Sequence, residues 1–567
     1  MRIRILRNVI ALLFLVLFAD LFWMQIIHGP SYEKRSKDNR IRLVPEDASR
    51  GIIYDRNNIV LVENTLSFDV VVIPQEMDKD NRDILFARLG KFLEIEGEII
   101  LDTFLSNFDS SFSPVMLAAN VPRRTAFLIE QDMSELPGIF IKTSARRKYI
   151  YKQAAAHILG YIGKMRESEY PELKKYGYRI QDFIGRAGLE KSFDKVLRGK
   201  PGGMQLEVNS NGRIIKVLSY RPPVQGNDLH TTIDIKLQEL IHREFNGVKG
   251  AACVMDSENG DVLALYSSPA YDPNILIDKK AFKAIGRILK DPDMPLFNRA
   301  LNSYAPGSIF KIVTAYAGLK YEGINSKSSF ECKGEFRLGN SSRSCWLKSG
   351  HGWISLREAI STSCNVFFWN VGLKIGNKKI ASTAKEFGLG RICGIELPGE
   401  RPGVVPNGKW KRANIHEKWY PGDTANFAIG QGYLLISPLQ ALKLTGVVAS
   451  GGLEVTPHIM KKRLRQNQKR VAENKYLKII QDGMFDVVHT GSGTGHRAFL
   501  PGVKIFAKTG TAQVGRGDSH AWFMGYSIID NRKICFVVFL EHGGHGGERP
   551  AEIARSIIFY FKEYLGS

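Results

Sequence analysis

Trp522-Phe523-Met524-Gly525-Tyr526-Ser527-Ile528-Ile529 and Lys533-Ile534-Cys535-Phe536-Val537-Val538-Phe539-Leu540-Glu541 are apolar runs separated by Asp530-Asn531-Arg532. Short apolar runs bounded by turn residues read as strands. Val503–Ala507 precedes them as a further strand, and Ala551–Leu565 follows as a helix. Far upstream, His230–Asp234 leads into a helix, and Ala251–Met255 and Asp261–Tyr266 flank the tight turn Glu258-Asn259-Gly260. Strands at both ends of a region with helical sequence between them predict one antiparallel sheet assembled from distant segments, with helices on its faces. The fold class is α+β.

The rest of the chain serves this region. At 567 residues it is too long for one core, so two globular units or more are expected. From about Asn39 to Arg221, short strands such as Ser67–Ile73 alternate with helical stretches such as Arg82–Phe92 and Gly97–Phe108. No motif there carries obvious chemistry, and the segment reads as an extended, non-catalytic pedestal closed by Asn211-Gly212 and Pro222-Pro223. Arg2, Arg4 and Arg7 precede Val9–Ile27, which is apolar apart from Asp20 and Gln25. About twenty such residues cross a bilayer as a helix. A cleaved signal peptide would have a shorter apolar region and a small-residue cleavage site. The expected organisation is a cytoplasmic tail (1–7), a transmembrane signal anchor (8–28), the pedestal (29–225) and the chemical domain (226–567). The positive-inside rule puts everything after the anchor outside the cytoplasm. Asp20 then faces a partner helix or the interface.

Lys+Arg 79 against Asp+Glu 57 leaves a net charge of +22, which favours an anionic neighbour such as a lipid surface or an acidic polymer. The basic residues are scattered and not interleaved with aromatics, so nucleic acid is not an expected partner.

Three short motifs follow one another in the chemical domain: Ser308-Ile309-Phe310-Lys311, Ser363-Cys364-Asn365 and Lys508-Thr509-Gly510. A serine hydroxyl needs a base to become nucleophilic. A lysine three residues later on a helix lies on the same face and becomes that base when its surroundings lower its pKa. Tyr304-Ala305-Pro306-Gly307 reads as the turn entering the helix, whose positive end favours an oxyanion. Ser31/Lys34, Ser192/Lys195, Ser257/Asn259 and Lys348-Ser349-Gly350 mimic single motifs, but only the chosen set combines the order with suitable elements. Gly510, at the expected end of a strand, would leave room for a substrate backbone to pair at the edge.

On these motifs the sequence resembles the penicilloyl-serine transferases. Within them it is most similar to the penicillin-binding protein 2 family, the class B transpeptidases of cell elongation. The resemblance runs from Arg50-Gly51-Ile52-Ile53-Tyr54-Asp55-Arg56 through Gly188-Leu189-Glu190 and Gly422-Asp423-Thr424 to Lys508-Thr509-Gly510-Thr511-Ala512-Gln513. It implies a periplasmic D,D-transpeptidase on the bacterial inner membrane, acting on D-Ala-D-Ala stem peptides and acylated by β-lactams. Ser308 would be the nucleophile and Lys311 its base, with Ser363 and Asn365 relaying protons and holding the substrate amide. Lys508 and Thr509 would bind the terminal carboxylate, and the N–H groups of Ser308 and Thr511 would form the oxyanion hole. The implied partner is a glycosyltransferase of the shape, elongation, division and sporulation (SEDS) class.

Cys332, Cys345, His351 and Cys364 bracket the second motif, and all are ligand types of a closed tetrahedral zinc site. The family resemblance implies zinc at these positions, with carboxylates in some members where thiols stand here. The other reading is one disulfide, most simply Cys332 with Cys345. Zinc would fix the loop carrying Ser363 and Asn365 without entering catalysis. Cys253, Cys393 and Cys535 carry no assigned chemistry. His520 with His542 and His545 reads as a strand end beside a glycine-rich loop, not a second metal site.

Other functions share parts of this chemistry. A β-lactamase or D,D-carboxypeptidase would use the same acyl-enzyme with water as acceptor. A sensor would need a cytoplasmic output domain, for which seven residues are too few. A non-enzymatic role, activation of the partner glycosyltransferase by the pedestal and anchor, is compatible with catalysis.

Overall fold

The computed structural model describes residues 2–32, 41–77, 81–108, 114–180, 182–208, 214–278, 281–321, 323–461, 468–515 and 517–565. The hairpin signal Asn211-Gly212 lies outside them. Helix Arg2–Ile27 is long and apolar enough to cross a membrane, and none of its apolar window is buried in protein. It begins within the expected tail, because nothing in Arg2–Arg7 breaks helical geometry.

Two compact units interleave along the chain. One comprises residues 1–51, 64–147 and 195–227, and the other 52–63, 148–194 and 228–567. In the first unit, helices Arg82–Leu93 and Gly97–Asn107 pack against strand Val115–Val121 through Phe86, Leu89, Ile100 and Phe104. These apolar residues recur at helical spacing on each helix, so each helix buries one stripe. The same unit carries a three-stranded antiparallel sheet, Ile41–Glu46, Gly202–Val208 and Ile214–Arg221.

The second unit is built on a five-stranded antiparallel sheet. Its strands are β1 (Gly250–Asp256), β2 (Val262–Ser268), β3 (Lys504–Ala512), β4 (His520–Ile529) and β5 (Arg532–Leu540). Their spatial order is β2-β1-β5-β4-β3, with Gly250 opposite Leu540. The upstream hairpin therefore closes on the last strand, which makes the single antiparallel sheet of distant segments that the apolar runs predicted. Helices Ile235–Phe245 (α1) and Arg549–Leu565 (α2) cover one face with Leu237, Ile241, Ile553 and Ile557. Pro438–Ala449, buried along its whole length, lies in the helical region between β2 and β3.

One expectation about β3 is corrected. Lys508-Thr509-Gly510 does not end the strand: Thr511 and Ala512 continue it by pairing with Ala521 and His520. β3 is the edge strand of the sheet, so among the described residues its outer side has no β neighbour.

Candidate active site

Tyr304-Ala305-Pro306-Gly307 is held by the sheet. The Tyr304 ring lies 4.2 Å from Phe539, and the Trp522 indole N–H donates to Ala305 O at 3.0 Å. Gly307 adopts φ +58°, its N–H donates to Gly430 O at 2.9 Å, and a Cβ there would lie 2.6 Å from Thr511 O. A left-handed residue in that space must be glycine. Residues 307–310 form one tight turn, from which helix Lys311–Lys320 continues. Ser308 is half-buried at its start, while Lys311 is fully buried.

Gly510 answers a packing need within the fold. A Cβ there would meet Pro306 O and Ile309 Cγ2, each at 2.9 Å. Its missing side chain makes room for the Ser308 turn. Ser308 and Thr511 are thereby brought close along their backbones, the juxtaposition an oxyanion hole requires.

The second motif meets the first at Lys311. Its Nζ donates to Ser363 O at 2.8 Å, to Ser363 Oγ at 3.2 Å and to Asn365 Oδ1 at 2.7 Å. Burial pushes the Lys311 pKa down to about 8, against the Cys364 and Cys345 sulfurs, which pull it up. Such a lysine loses its proton near physiological pH, as a general base must. Ser363 is held at φ +56°, a costly backbone state for a residue with a Cβ. Helix Asn365–Ile375 starts immediately after it.

Lys508 is fully buried, and burial together with the Lys311 charge lowers its pKa strongly. Its Nζ donates to Thr509 O at 3.1 Å. Thr509 Oγ1 lies 2.7 Å from Thr494 Oγ1, which donates to Ser361 O at 3.3 Å. Thr494 thus ties β3 to the helix before Ser363. The sequence reading passed over it, although its setting, Gly491-Ser492-Gly493-Thr494-Gly495, is a visible glycine-rich signal. All three motifs therefore gather in one place, whereas Ser257/Asn259 stays in the β1–β2 turn.

Cys332, Cys345, His351 and Cys364 also converge, with their ligand atoms all within 4.8 Å of one another. His351 Nδ1 is 3.4 Å from Cys332 Sγ and 3.7 Å from Cys345 Sγ. Tetrahedral zinc with ordinary Zn–S and Zn–N bonds separates sulfur and nitrogen by roughly 3.6 Å, so the residues fit that ion. All six cysteines are free thiols, so the Cys332–Cys345 disulfide is not formed. Gly334 and Gly350 make the fold-back possible: both have positive φ, and a Cβ on Gly350 would lie 2.2 Å from Cys332 O. The Asn365 N–H points at Cys345 Sγ at 3.4 Å, joining the cluster to the second motif. His520 and His542 lie 5.0 Å apart by ring centroid, and His542 Nδ1 is 2.8 Å from Asp518 O. They gather no metal-type cluster among the described residues.

Residues 250–558 match the penicillin binding protein transpeptidase domain. Residues 45–231 match the penicillin-binding protein dimerisation domain. The chain belongs to the penicillin-binding protein family. Among this family's members it is 32% identical to the peptidoglycan D,D-transpeptidase MrdA of Haemophilus influenzae, over 96% of this chain and 89% of that one. The Helicobacter pylori penicillin-binding protein PBP2, solved in complex with MreC, superposes with TM-score 0.83 at 29% identity, over 92% and 99% of the two chains. A chain from a solved peptidoglycan synthase complex that coordinates polymerization and crosslinking gives TM-score 0.75 at 27% identity, over 99% and 98%.

Proposed function

We propose that this penicillin-binding protein is a serine D,D-transpeptidase that cross-links peptidoglycan stem peptides during cell elongation and shape maintenance. The observation that carries this reading is Lys311: a buried amine, lowered toward neutrality, bonded to Ser363 and Asn365 one helical turn after Ser308. Lys311 takes the Ser308 proton as Oγ attacks the penultimate D-alanine carbonyl. The N–H groups of Ser308 and Thr511 hold the oxyanion. The tetrahedral intermediate collapses with loss of the terminal D-alanine, whose amine receives a proton through Ser363. Lys508 and Thr509 hold the terminal carboxylate, and Asn365 the substrate amide. A second stem peptide's amine then attacks the acyl carbon, its surplus proton passes to Lys311, and Lys311 gives that proton to Ser308 Oγ as the acyl–Oγ bond breaks. β-Lactams acylate Ser308 by the same first step.

The Arg2–Ile27 helix anchors the chain in the bacterial inner membrane, with the catalytic unit in the periplasm. Cys332, Cys345, His351 and Cys364 hold one structural zinc that fixes the Ser363–Asn365 loop. A SEDS-family glycosyltransferase is the partner polymerase. An MreC-type scaffold, as in the Helicobacter pylori complex, is a second partner.

Intact-mass measurement after exposure to a penicillin, with peptide mapping, tests the nucleophile. The expected adduct is on Ser308 and is lost in Ser308→Ala; an adduct that survives this change sinks the assignment. Product analysis with stem-peptide substrates separates transpeptidase from carboxypeptidase or β-lactamase: cross-linked dimers are expected, and trimmed monomers or rapidly regenerated enzyme alone would favour the hydrolases. Ser308→Ala also separates catalysis from activation of the polymerase, which it should leave intact.

A further inference from the structure

Thr494 lies outside the three motifs, yet it touches the third and the helix that leads to the second. Its Oγ1 stands 2.7 Å from Thr509 Oγ1 on β3 and 3.3 Å from Ser361 O, the carbonyl that ends helix Leu356–Ser361. Ser361 O also accepts the Thr494 N–H at 3.3 Å. The backbone around this contact has no room to move: a Cβ on Gly493 would lie 2.3 Å from Val487 O, and one on Gly547 2.1 Å from Thr494 O. What stays free is the rotation of two hydroxyl protons.

Those two protons cannot serve every oxygen at once. A hydroxyl donates one hydrogen bond and accepts up to two, whereas a carbonyl only accepts. If Thr494 donates to Ser361 O, the 2.7 Å contact must be Thr509 donating to Thr494, and Thr509 then offers only lone pairs to anything else. A carboxylate also offers only lone pairs, so this arrangement repels it. If Thr494 instead donates to Thr509, the Thr509 proton is released for an anion, and donation into its oxygen makes it a stronger donor. The turn costs little, because it gives up a long bond of 3.3 Å and Ser361 O keeps the Thr494 N–H. Thr509 is itself held in place for this role: it is 7% exposed, and the Lys508 ammonium donates to its carbonyl at 3.1 Å.

We propose that Thr494 is a positioning residue for the donor substrate: its hydroxyl turns from Ser361 O to Thr509 Oγ1 when a carboxylate binds, so that the single Thr509 proton points at the ligand. This rests on the reading of Lys508 and Thr509 as the pair that holds the terminal carboxylate. It adds that Thr509 does so only with Thr494 behind it.

The test uses the full chain and two acylating agents, benzylpenicillin and its methyl ester, which differ in the carboxylate alone. Second-order rate constants for Ser308 acylation are followed by intact mass and normalised to the fraction of chains that acylate, so unfolded protein does not enter them. The readout is the ratio of the acid's rate constant to the ester's. Thr494→Val puts a methyl where Oγ1 stood, 2.7 Å from Thr509 Oγ1; Thr494→Ala removes the hydroxyl without that crowding; Thr494→Ser keeps the hydroxyl. Val and Ala should each lower the ratio about tenfold, the worth of one hydrogen bond to a charged group, and Ser should hold it near the wild-type value. An equal fall with both agents would mean that Thr494 only braces β3 against its neighbouring helix, and would overturn the proposal. A wild-type preference for the acid that survives in both Val and Ala would remove the role of Thr494 while leaving the carboxylate reading of Lys508 and Thr509 intact. Wild-type protein that acylates equally with acid and ester would sink that reading, and the proposal with it.

Discussion

The two walls of the active site are supported by different physics. On the sheet side, β3 and the Ser308 turn meet backbone to backbone, with glycine at positions 307 and 510 where a Cβ would collide. Behind them, Trp522, Phe539, Ile309 and Phe310 are essentially inaccessible to solvent. On the loop side, Ser329–Cys332 pairs with Gly352–Ser355 and Glu335–Leu338 with Ser341–Ser344, two ribbons of two strands each. Trp353 there is 71% exposed, and the buried side chains between 329 and 353 are Cys332 and Cys345. Isolated two-stranded ribbons are marginal in water. One wall therefore stands on a closed apolar core, whereas the other combines its Cys/His cluster with two ring contacts to the following helix, Phe330–Phe367 and Phe336–Trp369, and Lys311 bridges the two by bonding from the first to Ser363 and Asn365 on the second.

Five experiments would break or sharpen this contrast. Ser308→Ala should abolish penicillin acylation, because alanine offers no nucleophile, measured by stopped-flow or gel fluorescence, with melting temperature nearly unchanged. Cys364→Ser, or removal of zinc by a chelator, should slow acylation about 10- to 100-fold. Hydrogen exchange should then rise across residues 329–364 and stay constant in β1, β4 and β5; a uniform rise would mean the walls are not separately supported. The acylation rate should climb with pH and level off above about 8, where Lys311 becomes neutral. Below that value the neutral fraction falls about tenfold per pH unit, so a rate that declines as pH rises from 6 to 8 would contradict the assignment of the base. Gly307→Ala should cost about 1–3 kcal/mol through its left-handed backbone, and should slow acylation by displacing Ser308 from Thr511. The smallest effect is expected from Trp353→Ser on the exposed ribbon, within about 0.5 kcal/mol by denaturant titration.

Much of the site is legible in the sequence. The spacing of Ser308 and Lys311, the order of the three motifs, the apolar runs of β1 to β5 and the soft ligands around Ser363 are local patterns. Periodicity and residue chemistry suffice to read such patterns, because the neighbours that give them meaning lie within a few positions. The same holds for the anchor helix, whose length and apolarity do not depend on a partner.

Tertiary structure alone decided the remainder. It set Gly510 under the Ser308 turn, carried β3 past Lys508-Thr509-Gly510, twisted Ser363 into a left-handed conformation and linked Thr509 through Thr494 to Ser361. These features arise where segments distant in sequence meet at backbone contact. Their geometry is set by the closing of the common core around the sheet, and no residue's immediate neighbours encode it.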